Sequence, residues 1–215
     1  MRLPTSVVPP AVADIPADYL VLYEQAAARY EAGEGREHDQ RQLVQLANSA
    51  WAAGLCLLML GDSDGAREWL VRAAGRYRES WDAGAPPDSW GRPIAAMKAL
   101  LIAGEDARAA AEWALDVGAA EAESPIGRYA GTLALLVLGR DAEAAEVAAT
   151  LGDPFPADVA AALRALAAGD DDAFAAAVAD VRRSYENRDG YLEDIPVADT
   201  ALALDALSRI ARVGP

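Results

Sequence analysis

Apolar residues along the chain recur at spacings of three and four, and glycine or proline interrupts them at short intervals. That is the pattern of short amphipathic helices rather than of strands. The clearest stretch is 94–115. Ile94, Met97 and Leu101, with Ala95, Ala99 and Ile102, mark one apolar face. Gly104 ends that helix, because glycine enters the left-handed C′ conformation without a Cβ penalty. Asp106 stands where the N-cap of a second helix belongs. Ala110, Trp113, Ala114 and Val117 then bring that helix back across the first.

The same grammar covers the rest of the chain. A first helix is predicted over 16–32, capped by Asp14, with Tyr19, Leu22, Tyr23, Ala26, Ala27 and Tyr30 inward. A second spans 37–60, polar at its start and apolar nearly all round afterwards. Such a helix is a buried one, and Gln45, Asn48 and Ser49 make it a poor membrane span. A third runs over 64–83 behind Asp62-Ser63-Asp64, with Trp69, Leu70, Ala73, Ala74, Tyr77 and Trp81 inward. The stretch 84–93, with Pro86, Pro87 and Pro93, is a loop. Ser124-Pro125 is a helix start, a serine cap before a proline at the first helical position. The helix 125–138 carries Ile126, Tyr129, Leu133, Leu136 and Val137 on one face. Its partner over 142–151 follows Gly139 and a cap at Asp141. Further helices span 156–168 and 170–187, and a last one begins at Pro196 with Val197, Ala201, Leu204, Leu207 and Ile210 or Ala211 inward. The sum is an all-α chain of ten helices in five antiparallel pairs: a proline-rich arm over 1–15, then one helical-hairpin domain over 16–215.

The turns repeat. GDSDGA (61–66), GEDARA (104–109) and GRDAEA (139–144) each place an alanine five residues after the glycine; in GDDDAF (169–174) the alanine comes one place early. This resembles the tetratricopeptide repeat over roughly residues 43–185. Ala66, Ala109 and Ala144 match the alanine that lets its two helices approach, and Gly54 and Ala162 match its small residue seven places before the turn. The glycines lie 43, 35 and 30 residues apart rather than at a constant period of about 34, and the terminal proline of that repeat is missing. The resemblance implies an α-α superhelix that binds a protein or peptide, and it implies no catalytic residue. A fainter resemblance joins 123–130 and 191–207 to helical immunity-type proteins of toxin systems, which implies inhibition of a toxin.

Composition changes this picture in one respect. The net charge is −15 over 215 residues. Phosphate binding needs clustered Lys and Arg, so nucleic acid and anionic membrane surfaces are excluded as partners. The acidity suits either a salty cytoplasm, as in a halophile, or recognition of a basic partner. A single lysine, Lys98, stands among 19 basic residues.

Candidate chemistry is thin. One cysteine, Cys56, reads as a buried apolar residue, and one histidine, His38, is too few for a Cys/His zinc site. No phosphate loop or dinucleotide fingerprint is present. With 34 acids in the chain, some carboxylate pair is always available, so an α/α acid-residue enzyme stays the lesser alternative. No catalytic, cofactor-binding or metal residue is assigned, and no cofactor is expected. The informative residues are aromatics and arginines beside loops: Trp81, Trp90 and Arg92; Arg128 and Tyr129; Tyr185, Arg188, Tyr191, Glu193 and Asp194. Arg, Trp and Tyr dominate binding hot spots, although the same residues also pack between repeats and cap helix ends. The expectation is a cytoplasmic, non-enzymatic module that binds a protein or peptide, with self-association as a homodimer the alternative.

Overall fold

The computed structural model describes residues 18–188 and 190–213, with side chains as far as 210. Among these residues there are ten α-helices and no strand: α1 (Tyr19–Gly33), α2 (Gln40–Met59), α3 (Ser63–Asp82), α4 (Gly91–Ala103), α5 (Arg108–Asp116), α6 (Pro125–Val137), α7 (Asp141–Ala149), α8 (Ala157–Ala167), α9 (Asp171–Glu186) and α10 (Asp199–Val213). A single 3₁₀ turn, Leu192–Asp194, precedes α10. The arm over 1–15 and the expected cap Asp14 lie outside the described residues.

Four hairpins, α2/α3, α4/α5, α6/α7 and α8/α9, share one turn. Gly61, Gly104, Gly139 and Gly169 all take positive φ, between 67° and 83°. At each, two backbone bonds close the helix end. The N–H groups of Asp62 and Gly61 reach the carbonyls of Leu57 and Leu58; those of Glu105 and Gly104 reach Leu100 and Leu101; those of Arg140 and Gly139 reach Leu135 and Leu136; those of Asp170 and Gly169 reach Ala165 and Leu166. This Schellman arrangement satisfies the carbonyls a helix leaves free at its C-terminus.

The residue that follows this turn into the core differs from the sequence expectation twice. Ala66 and Ala144 are buried as expected, and each is the fourth residue after its N-cap, Asp62 and Arg140. Ala109 is exposed, and Ala111, 0% accessible, takes the place. The reason is the start of α5: its N-cap is Ala107 rather than Asp106, two residues later relative to the glycine than in the other hairpins. Asp106 instead accepts the Arg108 N–H at 2.9 Å. In the fourth hairpin Phe174 fills the position and Ala173 is exposed. Gly54 serves the close approach expected of it, since a Cβ there would lie 2.7 Å from Leu70 Cγ and 3.1 Å from the Ala66 carbonyl.

Several helix starts also move. Asp18 caps α1 and Asp39 caps α2 in a capping box with Gln42. Asp141 is the first residue of α7 rather than its cap. Pro93 sits inside the first turn of α4, where a missing N–H costs nothing. Pro196 precedes α10 by three residues; of the two inward alternatives at its end, Ile210 is exposed and the Ala211 side chain lies outside the described residues. Ser124 caps α6 as expected, accepting the Gly127 N–H at 3.2 Å.

Each helix from α1 to α9 packs against its neighbours in sequence, giving repeated helix–turn–helix units over one continuous core. α2 is long and apolar enough to cross a membrane, but two-thirds of its apolar stretch is enclosed between α1 and α3. The last helix is not confined to a pair with α9. α10 lies against α4, α6 and α8, the first helices of three hairpins, as well as against α9, and the 3₁₀ turn reaches α2. Lys98 of α4 forms an ion pair with Asp199 of α10, their side chains 11% and 16% exposed. Lys98 Nζ also donates to Thr200 Oγ1 at 3.0 Å.

Candidate functional site

The aromatic and arginine residues singled out in the sequence divide into three structural groups. Trp81 and Trp90 do not face solvent as a pair. Trp90 is 9% exposed, and the two rings are 6.4 Å apart. Trp81 also meets Trp113 edge-on at 5.7 Å, and the Arg78 guanidinium covers Trp113 at 4.8 Å. A Cβ on Gly127 would lie 2.9 Å from the Trp90 indole. This is packing that joins α3, α5 and the start of α6. Arg92 is half-buried and bonded within the fold: its Nε donates to Ser80 Oγ at 2.8 Å and its Nη2 to Gln40 Oε1, pinning the start of α4 to α2 and α3. Burial lowers the pKa of Arg92.

The second group is Tyr185, Tyr191, Glu193 and Asp194. Tyr185 is buried, stacks on Tyr191 at 5.0 Å and donates its hydroxyl to the Ile195 carbonyl at 3.1 Å. Glu193 pairs with Arg29 of α1 at 3.2 Å. Glu193 and Asp194 have φ of 54° and 58°, the left-handed region that side chains other than glycine rarely occupy. Leu192 beside them is 53% exposed. The segment therefore leaves α9, crosses to α1 and α2, and returns as α10.

The third group combines Tyr129 with Arg188. Both line a cleft of about 390 Å³ between the start of α6, the Pro154–Pro156 loop and the start of α10. Ile126, Phe155 and Val159 complete its apolar wall, and Thr200 forms part of it. Tyr129 packs on Phe155 at 5.2 Å, and burial raises its pKa, with the Asp199 carboxylate adding to the shift. Arg188 is exposed and lies 5.0 Å over the Tyr185 ring. Arg128, next to Tyr129 in sequence, is not part of the cleft. Its buried Nε has no hydrogen-bond partner among the described residues.

Sequence reasoning missed Phe155, Val159 and Thr200. Phe155 had a signal: held between two prolines, it is barred from a helix interior and left at a loop. Val159 and Thr200 had none, because their role depends on α8 and α10 meeting in space. His38 proves to close a turn, its Nε2 2.7 Å from the Gly33 carbonyl. Asp62 and Asp170 are helix caps, each accepting one backbone N–H at 3.0 Å. Among the described residues no group of three or more His, Cys, Asp or Glu is placed to hold a metal ion.

Fold and site together define an all-α protein of repeated helix–turn–helix units with surfaces consistent with a binding module. Comparison with family models, with curated proteins and with solved structures finds no match to the chain.

Proposed function

We propose that the chain is a protein-binding module of tetratricopeptide-like hairpins, a binder rather than an enzyme, and that its partner meets the turn Tyr191–Asp194. The observation that carries this reading is the backbone of that turn. Two successive L-residues stay left-handed, at about 1–2 kcal/mol each, while Leu192 is left 53% exposed beside them. Strain that surrounding contacts maintain at a surface turn is a mark of a functional segment. Here the Arg29–Glu193 pair and the Tyr185–Ile195 hydrogen bond supply those contacts. A helical-repeat scaffold supports the same reading, since such arrays present extended binding surfaces.

Leu192→Asp tests it. Affinity capture from a host lysate with the wild-type chain should recover a partner protein, and titration of that purified partner should give at least tenfold weaker binding to the variant. Circular dichroism should show unchanged helicity. Equal affinity of both chains, or recovery of no partner, would remove this surface from the function.

A further inference from the structure

The cleft beside α6 differs from the rest of the surface in its charge. The chain carries 34 acids, yet none of them lines this cleft. Asp189, next to Arg188 in sequence, lies outside the described residues, and the described acids adjacent to the lining stand as follows. Asp199 pairs with Lys98, Asp158 accepts the Ser184 hydroxyl, and Asp153 lies exposed beside Pro154. The polar groups the cleft does offer can donate. Arg188 presents a guanidinium with no carboxylate partner among the described residues. Tyr129 keeps its phenolic proton, since burial raises its pKa. The first turns of α6 and α8 also border the cleft, through Ile126 and Val159, but their N–H groups are already answered there, Gly127 by Ser124 and Val159 by Asp158. Thr200 adds a hydroxyl that already accepts from Lys98, and the rest of the wall is apolar.

We infer that this cleft binds a small amphipathic carboxylic acid, its carboxylate on Arg188 and its apolar body between Ile126, Tyr129 and Phe155. Volume sets the size: about 390 Å³ lies at the low end of the range for small-molecule sites, about 300–1,000 Å³. Charge sets the class. A guanidinium offers two parallel N–H donors that match one carboxylate. A phosphate dianion would meet a single cation inside a chain of net charge −15 and lose more hydration for it. An amine would find no acid in the lining. This site adjoins the turn proposed to meet a protein partner, since Arg188 and Tyr191 both pack on the Tyr185 ring, but its lining does not include that turn and its test does not depend on that reading.

The probes are 3-phenylpropionate, its neutral amide, and a short peptide ending in Phe with a free terminal carboxylate, each titrated by isothermal calorimetry and by NMR chemical shifts. The expected result is a Kd for the acid below about 1 mM, with the amide at least tenfold weaker. Arg188→Gln should abolish the difference between acid and amide, while Ile126→Asp should weaken both. The acid-to-amide ratio is the decisive reading, because a purely structural role of Arg188 would shift both ligands together. Equal binding of acid and amide to the wild type overturns the inference, as does no binding of either at about 10 mM. A peptide binding tenfold more tightly than the acid would also overturn it, by making a chain terminus the ligand.

Discussion

Cys56 shows what burial does to a single residue here. Its side chain, on α2, is fully buried, and that burial pushes the thiol up to about 12 from its ordinary 9.0. Tyr77, Tyr129 and Tyr185 are raised from 10.0 by the same cause. Each group therefore holds its proton more tightly folded than unfolded. The sign follows from proton linkage: stability contributed by a raised pKa is complete below the unfolded value and is lost as pH rises through the folded one. Stability should be flat up to about pH 9 as far as these groups are concerned. Above that it should fall by about 1.4 kcal/mol per pH unit for the thiol, and more steeply above 10 as the phenols join. Urea titrations at successive pH values from 8 to 11 measure this slope. Cys56→Ser should remove the part between 9 and 10 even though it lowers stability throughout. A slope unchanged in that variant would show that the thiol is not the group responsible.

At the scale of elements, two helical glycines make opposite predictions. Gly131 lies in α6, where a Cβ would sit 2.5 Å from Ala120 Cα and 2.6 Å from its nitrogen. Those atoms are backbone and cannot turn aside. Gly131→Ala should cost about 1–3 kcal/mol through overpacking. Gly75 lies mid-helix in α3 with nothing within 4 Å of its would-be Cβ. Gly75→Ala should stabilise by about 0.5–1 kcal/mol, because alanine loses less backbone freedom on folding. Thermal unfolding of the two variants should shift the midpoint in opposite directions. An unchanged or raised midpoint in Gly131→Ala would mean that the approach of α6 to the loop after α5 is looser than the structure has it. Neither outcome was readable from the sequence, where both are simply glycines inside helical patterns. The turns were readable, because a glycine between two helical periods has one backbone role. The register after the turn was not: Ala109 and Ala110 are the same residue type, and only the start of α5 decides that Ala111 faces inward.

For the whole molecule, α10 is the element that changes the picture. It covers the first helices of three hairpins. The Lys98–Asp199 pair fixes it there. Lys98→Met should leave a shielded carboxylate without its cation and cost roughly 3 kcal/mol, with faster hydrogen exchange in α10 than in α2 or α3. Lys98→Met with Asp199→Leu should recover most of that loss, since two apolar groups replace the pair. Hydrogen exchange read by mass spectrometry checks both. Uniform acceleration along the chain in the single variant would show that α10 is no separate latch.

The sequence by itself determined the helices and the glycine turns that end them. Those features are set by neighbours within one or two turns of chain: apolar spacing, a capping side chain, and a residue able to take positive φ. It also determined that α2 is buried, because a helix apolar on all sides has no face to give to water. It did not determine the fate of the aromatic and arginine residues. Trp81, Trp90 and Arg92 were as plausible on a groove as in a core, and the contacts that hold them inside come from Trp113, Ser80 and Gln40 on other helices. The cleft at Arg188 and the packing of α10 across three hairpins were likewise decided only in three dimensions. Both depend on contacts between segments far apart in the chain, such as the 102 residues separating Lys98 from Thr200, which no local pattern encodes.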